Sequence, residues 1–100
     1  MGVDGSYYAD IKTPIGVKSG TLTLITNGEK LDGNMTDTDG HVANFHEGAW
    51  VKGNEFSCEF KMKVPFSSVL VVLNCRIEGD KCLGTAKTPF GLLDVDGTRV

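Results

Sequence analysis

Two histidines, His41 and His46, are the side chains of this chain whose ordinary pKa allows proton transfer near neutral pH. They share one stretch, HVANFHEGAWV, with Asn44 between them and Glu47 beside the second. Neither is framed by a nucleophile motif, so the chemistry open to them is acid–base work without a covalent intermediate. Tyr7 paired with His46 or Glu47 could shuffle a proton on a bound carbonyl or phenol. Such a step needs no cofactor, and none is expected.

Metal chemistry has a poorer footing. Cys58, Cys75 and Cys82 lack a C-x-x-C spacing, and the histidines stand five apart. DTDGH offers Asp37 and Asp39 as calcium ligands but lacks the downstream glutamate of a calcium loop, and it reads better as an exposed Asp-Gly hairpin turn. No metal site is expected. An odd number of cysteines argues against a disulfide framework, and packed thiols are the default.

These residues need elements to hold them, and the chain writes strands. In EFSCEFKMKV the apolar Phe56, Cys58, Phe60, Met62 and Val64 alternate with Glu55, Ser57, Glu59, Lys61 and Lys63, the period of a strand with one wet and one dry face. No segment carries an apolar stripe at helical spacing. Strands are expected near 6–13, 17–26, 29–37, 41–52, 55–64, 68–77, 80–88 and 92–99.

The turns repeat. KTPIG at 12–16 returns as KTPFG at 87–91 and more loosely as KVPFS at 63–67. A shift of 51 positions lays NGEKLDGNMTDTDG over EGDKCLGTAKTPFG and matches Gly28 with Gly79, Lys30 with Lys81, Gly33 with Gly84 and Gly40 with Gly91. Two four-strand halves, approximately 6–52 and 55–99, therefore form one domain over 1–100. Asn27-Gly28 and Glu78-Gly79 predict matching hairpins in which Leu24 faces Leu31 and Cys75 faces Cys82. Eight antiparallel strands with short links leave two sticky edges unless they close, so the expected fold is all-β, an eight-stranded antiparallel up-and-down barrel of two pseudo-symmetric halves.

GEKLDG, GDKCLG and the closing GLLDVDGTRV resemble small bacterial calycin-like barrels, the wider group of lipocalins, fatty-acid-binding proteins and avidins. The resemblance implies a barrel that takes a small hydrophobic or aromatic molecule. The usual Gly-x-Trp of a first lipocalin strand is replaced here by Gly5-Ser6-Tyr7.

By alternation the inner face carries Tyr7, Ala9 and Ile11, then Leu22, Leu24, Leu31, Gly33 and Met35, with Val42 and Asn44 on the next strand. The second half contributes Phe56, Cys58, Phe60, Met62 and Val64, then Val69, Val71, Leu73, Cys75 and Ile77, and Cys82, Gly84, Ala86, Leu93 and Val95. Small Ala9, Gly33, Gly84 and Ala86 would leave room for a ligand, or the two glycines mark bends and the large side chains fill the interior. The ligand candidates are Tyr7, Met35, Asn44, His46, Phe56, Cys58, Phe60, Met62 and Leu73. Counting parity from Val42 and from Phe56 leaves one residue spare, which predicts a bulge near His46-Glu47-Gly48. Leu70, Val72, Leu83 and Leu92 point outward and suggest a homodimer or a larger partner subunit.

Ten Lys and Arg against 13 Asp and Glu give a net charge of −3 with no basic run, so nucleic acid is not an expected partner. The opening MGVDGSYYAD has no cationic stretch before an apolar run, and no membrane-spanning segment stands in the chain. A cytoplasmic protein without a membrane partner is expected. The functional alternatives are a small-molecule binder or accessory subunit, a cofactor-free lyase, isomerase or cyclase, and a packed interaction domain without ligand.

Overall fold

Alternating burial runs the length of most strands, because one face of each is apolar and must leave water. The computed structural model describes residues 3–14, 16–64 and 67–100, with Lys63 and Val64 described by backbone alone. Its elements are β1 (Gly5–Thr13), β2 (Gly16–Asn27), β3 (Lys30–Asp37), β4 (Val42–Asn44), β5 (Trp50–Lys52), β6 (Glu55–Val64), β7 (Ser67–Glu78), β8 (Lys81–Thr88) and β9 (Gly91–Arg99). All pairings are antiparallel, and β1 pairs with both β2 and β9, so the sheet closes into an eight-stranded barrel with one extra strand. The extra strand arises because β4 and β5 both lie against β3.

The up-and-down order brings the links 13–16, 37–42, 64–67 and 88–91 to one end of the barrel. We call this the proline end, since the Pro14 and Pro89 turns fall there. Ile15, Pro65 and Phe66 lie outside the described residues. The opposite end collects the links 27–30, 52–55 and 78–81 together with both termini.

The two halves repeat in register as well as in sequence. Asn27 faces Lys30 and Leu24 faces Gly33 in the first half, while Glu78 faces Lys81 and Cys75 faces Gly84 in the second. The hairpins therefore sit two residues from the expected register, so Leu31 faces Thr26 rather than Leu24, and Cys82 faces Ile77 rather than Cys75. A slip of two keeps every side chain on its face, which is why the inner set survives it. Gly28 and Gly79 take φ of +66° and +61° in these turns, a conformation that glycine adopts without strain.

Tyr7, Phe56, Phe60, Ile11, Leu22, Leu24 and Leu73 are fully buried. At about 1.5–3 kcal/mol for each large side chain, they dominate the stability of the barrel. Gly33 and Gly84 do not open space: a Cβ at the first would run into the Thr23 carbonyl oxygen and at the second into that of Asn74. They are bends where neighbouring strands approach closely. The terminal end is plugged by Val3, which is completely buried and accepts a hydrogen bond from the Tyr7 hydroxyl at 2.8 Å. The Arg99 guanidinium lies over the Tyr7 ring, 4.8 Å from its centroid, and donates to the Asp4 carbonyl at 2.8 Å.

The fourth strand position departs from expectation. Met35 faces Ala43 and Asn34 faces Asn44, which turns Ala43 and Phe45 inward and leaves Val42 and Asn44 exposed. The inward placement expected for Val42 and Asn44 is thus reversed. The expected one-residue bulge is instead a break: Asn34 to Lys30 on β3 spans the same distance as Asn44 to Trp50, so two residues are in excess.

Candidate functional site: a cleft at the proline end

The break after β4 decides where the barrel opens. β5 pairs with the first three residues of β6, from Glu55 to Ser57. Beyond that, the chain reaches β6 through one backbone bond, from the His46 amide to the Glu59 carbonyl at 2.8 Å. Among the described residues β4 and β6 form no ladder. Phe45 fills the lower part of this seam, with its ring 6.2 Å from that of Phe60. Above Phe45 the two strands part.

A cleft of about 630 Å³ occupies the resulting mouth. Ile11, Met35, Ala43, Phe60 and Met62 supply its apolar lining, and Lys18, Asp37 and His41 stand on its polar rim. Lys18 reaches the rim from β2, where it faces Ile11, and Asp37 ends β3 opposite Gly20. Asp37 organises the link that follows. One oxygen accepts from the amides of Asp39 and His41, both at 2.9 Å, and the other lies 3.1 Å from the His41 Nδ1. Desolvation pushes the Asp37 carboxyl up, but the His41 amide, the His41 ring and the Asp39 amide outweigh it and hold the pKa below the usual value. Asp37 is thus an anion at neutral pH, and His41 is oriented by it.

Asp37, Asp39 and His41 bring ligand atoms within 4.8 Å of one another. Both Asp37 oxygens already serve the turn, so a cation there would compete with the turn's own hydrogen bonds.

Of the residues singled out in the sequence, Met35, Phe60 and Met62 come together in the cleft. Tyr7, Phe56, Cys58 and Leu73 lie in the packed interior instead. Asn44 and His46 are exposed on the outside. Tyr7 and His46 therefore do not form a pair: one hydroxyl is spent on Val3 inside the barrel, and the other ring is in water. Burial raises the Tyr7 pKa, with Arg99 opposing it, so the phenol stays protonated. The inward count from Val42 missed Ala43 and His41 because the parity of β4 was inverted; the signal that remained was DTDG standing where the second half has TPFG.

The cysteines are free and buried, as expected. Burial pushes the Cys58 thiol up to about 12, with Cys82 and Glu59 adding to it. A hydrogen bond with Cys82, then burial, keeps Cys75 protonated. Neither Cys58 nor Cys75 offers a thiolate for nucleophilic or metal chemistry. Leu70 and Leu92 point outward and are exposed, whereas Val72 and Leu83 are half-buried. No helix is long and apolar enough to cross a membrane.

Compared with protein-family models and with curated proteins, the chain matches none.

Proposed function

We propose that this barrel binds a small, mainly hydrophobic or aromatic molecule in the cleft at its proline end, in the manner of a calycin-like carrier. The observation that carries the reading is the cleft itself. Its volume falls within the range of about 300–1,000 Å³ typical of small-molecule sites. Its composition supports the same reading, since an apolar lining supplies affinity and a few rim groups fix orientation. Met35 and Met62 are unbranched and polarisable, and they can settle around ligands of differing shape. The polar head of such a ligand would lie at the rim beside Lys18, Asp37 and His41.

Native mass spectrometry of the purified protein, beside displacement of an environment-sensitive hydrophobic dye, tests it. A retained small-molecule adduct, or dye binding lost in Ala43→Trp and Met62→Arg, supports the cleft. Absence of adduct together with dye binding that neither substitution changes would sink it.

A second reading is favoured by the Asp37–His41 contact. With Nδ1 turned to a carboxylate, His41 presents Nε2 as a base, an arrangement suited to cofactor-free proton transfer on the bound molecule. In this reading His41 takes the role expected of His46. Turnover of an identified ligand that persists in His41→Gln would exclude it.

A further inference from the structure

In the open seam between β4 and β6, the hydrogen bonds that remain fix which way each backbone group points. The His46 amide donates to the Glu59 carbonyl at 2.8 Å, so Glu59 turns its backbone groups toward β4, and every second residue of β6 does the same. The alternate set faces β7, as the Asn54 carbonyl does in accepting from the Ile77 amide at 2.8 Å. Glu55 and Ser57 use their seam-side groups on Lys52 and Trp50. Above them, the Glu59 amide and the amide and carbonyl of Lys61 point into the seam with no backbone partner among the described residues.

The facing edge is set in the same way. Phe45 donates to the Gly33 carbonyl at 3.0 Å, and the His41 carbonyl accepts from the Asp37 amide at 2.9 Å, so the odd residues of this segment turn to β3. Val42 and Asn44 therefore turn their amides and carbonyls to the seam, and these too lack a backbone partner among the described residues.

The cleft runs through the barrel wall at this point. Ala43, Phe60 and Met62 line it from the inner faces of the two edge strands, and Val42 and Lys61 line it from their outer faces. Whatever lies in the seam thus meets apolar side chains inward, water outward, and strand-forming donors and acceptors to the side. A hydrocarbon or an aromatic ring would fill the inner part and leave the edges to water. An extended polypeptide matches all three surroundings, since its donors and acceptors recur at the strand repeat and its side chains alternate between two faces.

We propose that the seam takes an extended segment of a partner polypeptide, which pairs antiparallel with the β6 edge at Glu59 and Lys61 and lays alternate apolar side chains into the cleft. This rests on the cleft being a binding site, and it makes the molecule held there a stretch of peptide. Register follows from the edge. In an antiparallel pair, two residues that exchange both bonds project to the same face. Lys61 projects outward, so the peptide residue bonded to it does too, and the residues on either side of that one point inward toward Phe60 and Met62. The pattern recognised is apolar, polar, apolar. The His46 bond and the Phe45 ring close the lower end of the seam, so the segment enters from the proline end or from outside the wall.

The probes are three acetylated, amidated pentapeptides of alternating composition, with threonine at the second and fourth positions and valine, leucine or phenylalanine at the other three. At least one should bind, measured by fluorescence polarisation of a tail-labelled copy. On its addition, the amides of Glu59 and Lys61 should exchange with solvent more slowly. Methylating the two threonine amides removes the donors turned toward β6 while keeping every side chain, and it should weaken binding about tenfold or more. Lys61→Pro removes the facing donor without breaking a bond to β7, and it should weaken binding to a similar degree. Circular dichroism checks that this variant folds, and the methylated peptides test the same bonds with the native chain.

The proposal is overturned if none of the pentapeptides binds, if the methylated forms bind equally well, or if the bound peptide leaves exchange at Glu59 and Lys61 unchanged. A hydrophobic dye separates this failure from that of the cleft. Dye held by the native chain with no peptide bound leaves a small-molecule site and overturns the peptide alone, whereas neither bound overturns both. A dimer in gel filtration that Lys61→Pro dissolves, with no peptide binding, gives the seam to a second copy and equally overturns the proposal.

Discussion

The seam joining β9 to β1 and the seam joining β4 and β5 to β6 hold equivalent places in the two halves, yet only one is zipped. The first carries five consecutive pairs, from Tyr7–Arg99 to Ile11–Val95. The second carries three pairs and one additional amide–carbonyl bond. Two surplus residues between Asn44 and Trp50 make the difference, since they end the ladder before it reaches the proline end. A barrel of two halves with matching registers can thus hold a cleft by mismatching one strand in one half, without changing its core.

The largest effect that would sharpen this contrast lies in the core beneath the open seam. Phe60→Ala should cost about 3–5 kcal/mol in urea unfolding, while Met62→Ala, two residues higher on the cleft wall, should cost less than about 2 kcal/mol because its site is already partly open to water. Equal losses would mean that the mouth is as tightly packed as the interior.

Glycine substitution probes the halves at matched positions. Gly33→Ala and Gly84→Ala should each destabilise by about 2–4 kcal/mol, since each Cβ would meet a neighbouring carbonyl oxygen that cannot move without disturbing a strand. A tolerated substitution at either position would show that the strand approach there can relax.

The plug at the closed end is worth less. Tyr7→Phe removes the hydroxyl bond to Val3 and should cost about 1 kcal/mol. Leaving the Val3 carbonyl without a donor makes a neutral result a contradiction.

Acid should loosen the same plug. A hydrogen bond from the Thr26 hydroxyl, then one from its amide, lowers the Asp4 pKa. A carboxylate depressed in the folded state stabilises above its unfolded pKa, and that contribution disappears as pH falls through the folded value. The loss should begin below about pH 4, and Asp4→Asn should flatten the thermal-unfolding profile in that range. Smallest of all, and visible by hydrogen exchange alone, the Lys61 amide on the unzipped side should exchange faster than the amides paired between β1 and β9.

The sequence by itself determined the barrel. Period-2 alternation specifies strands with one buried face, the matched glycines specify the bends, and short links leave closure as the way to remove edges. It also determined most of the interior, because a two-residue slip in a hairpin does not change which face a side chain occupies. Met35, Phe60 and Met62 were legible as inner residues for that reason. What only the tertiary structure decided was the fourth strand. There a one-residue inversion exchanged Asn44 for Ala43 and sent His46 outside, since parity is set by pairing with β3 and not by the segment's own pattern. Asp37 and His41 meet within their own link, and only the strands that stand around that link make it the rim of a cleft. Ile11, Met35 and Met62 stand far apart along the chain, and only cross-strand register brings them to one mouth.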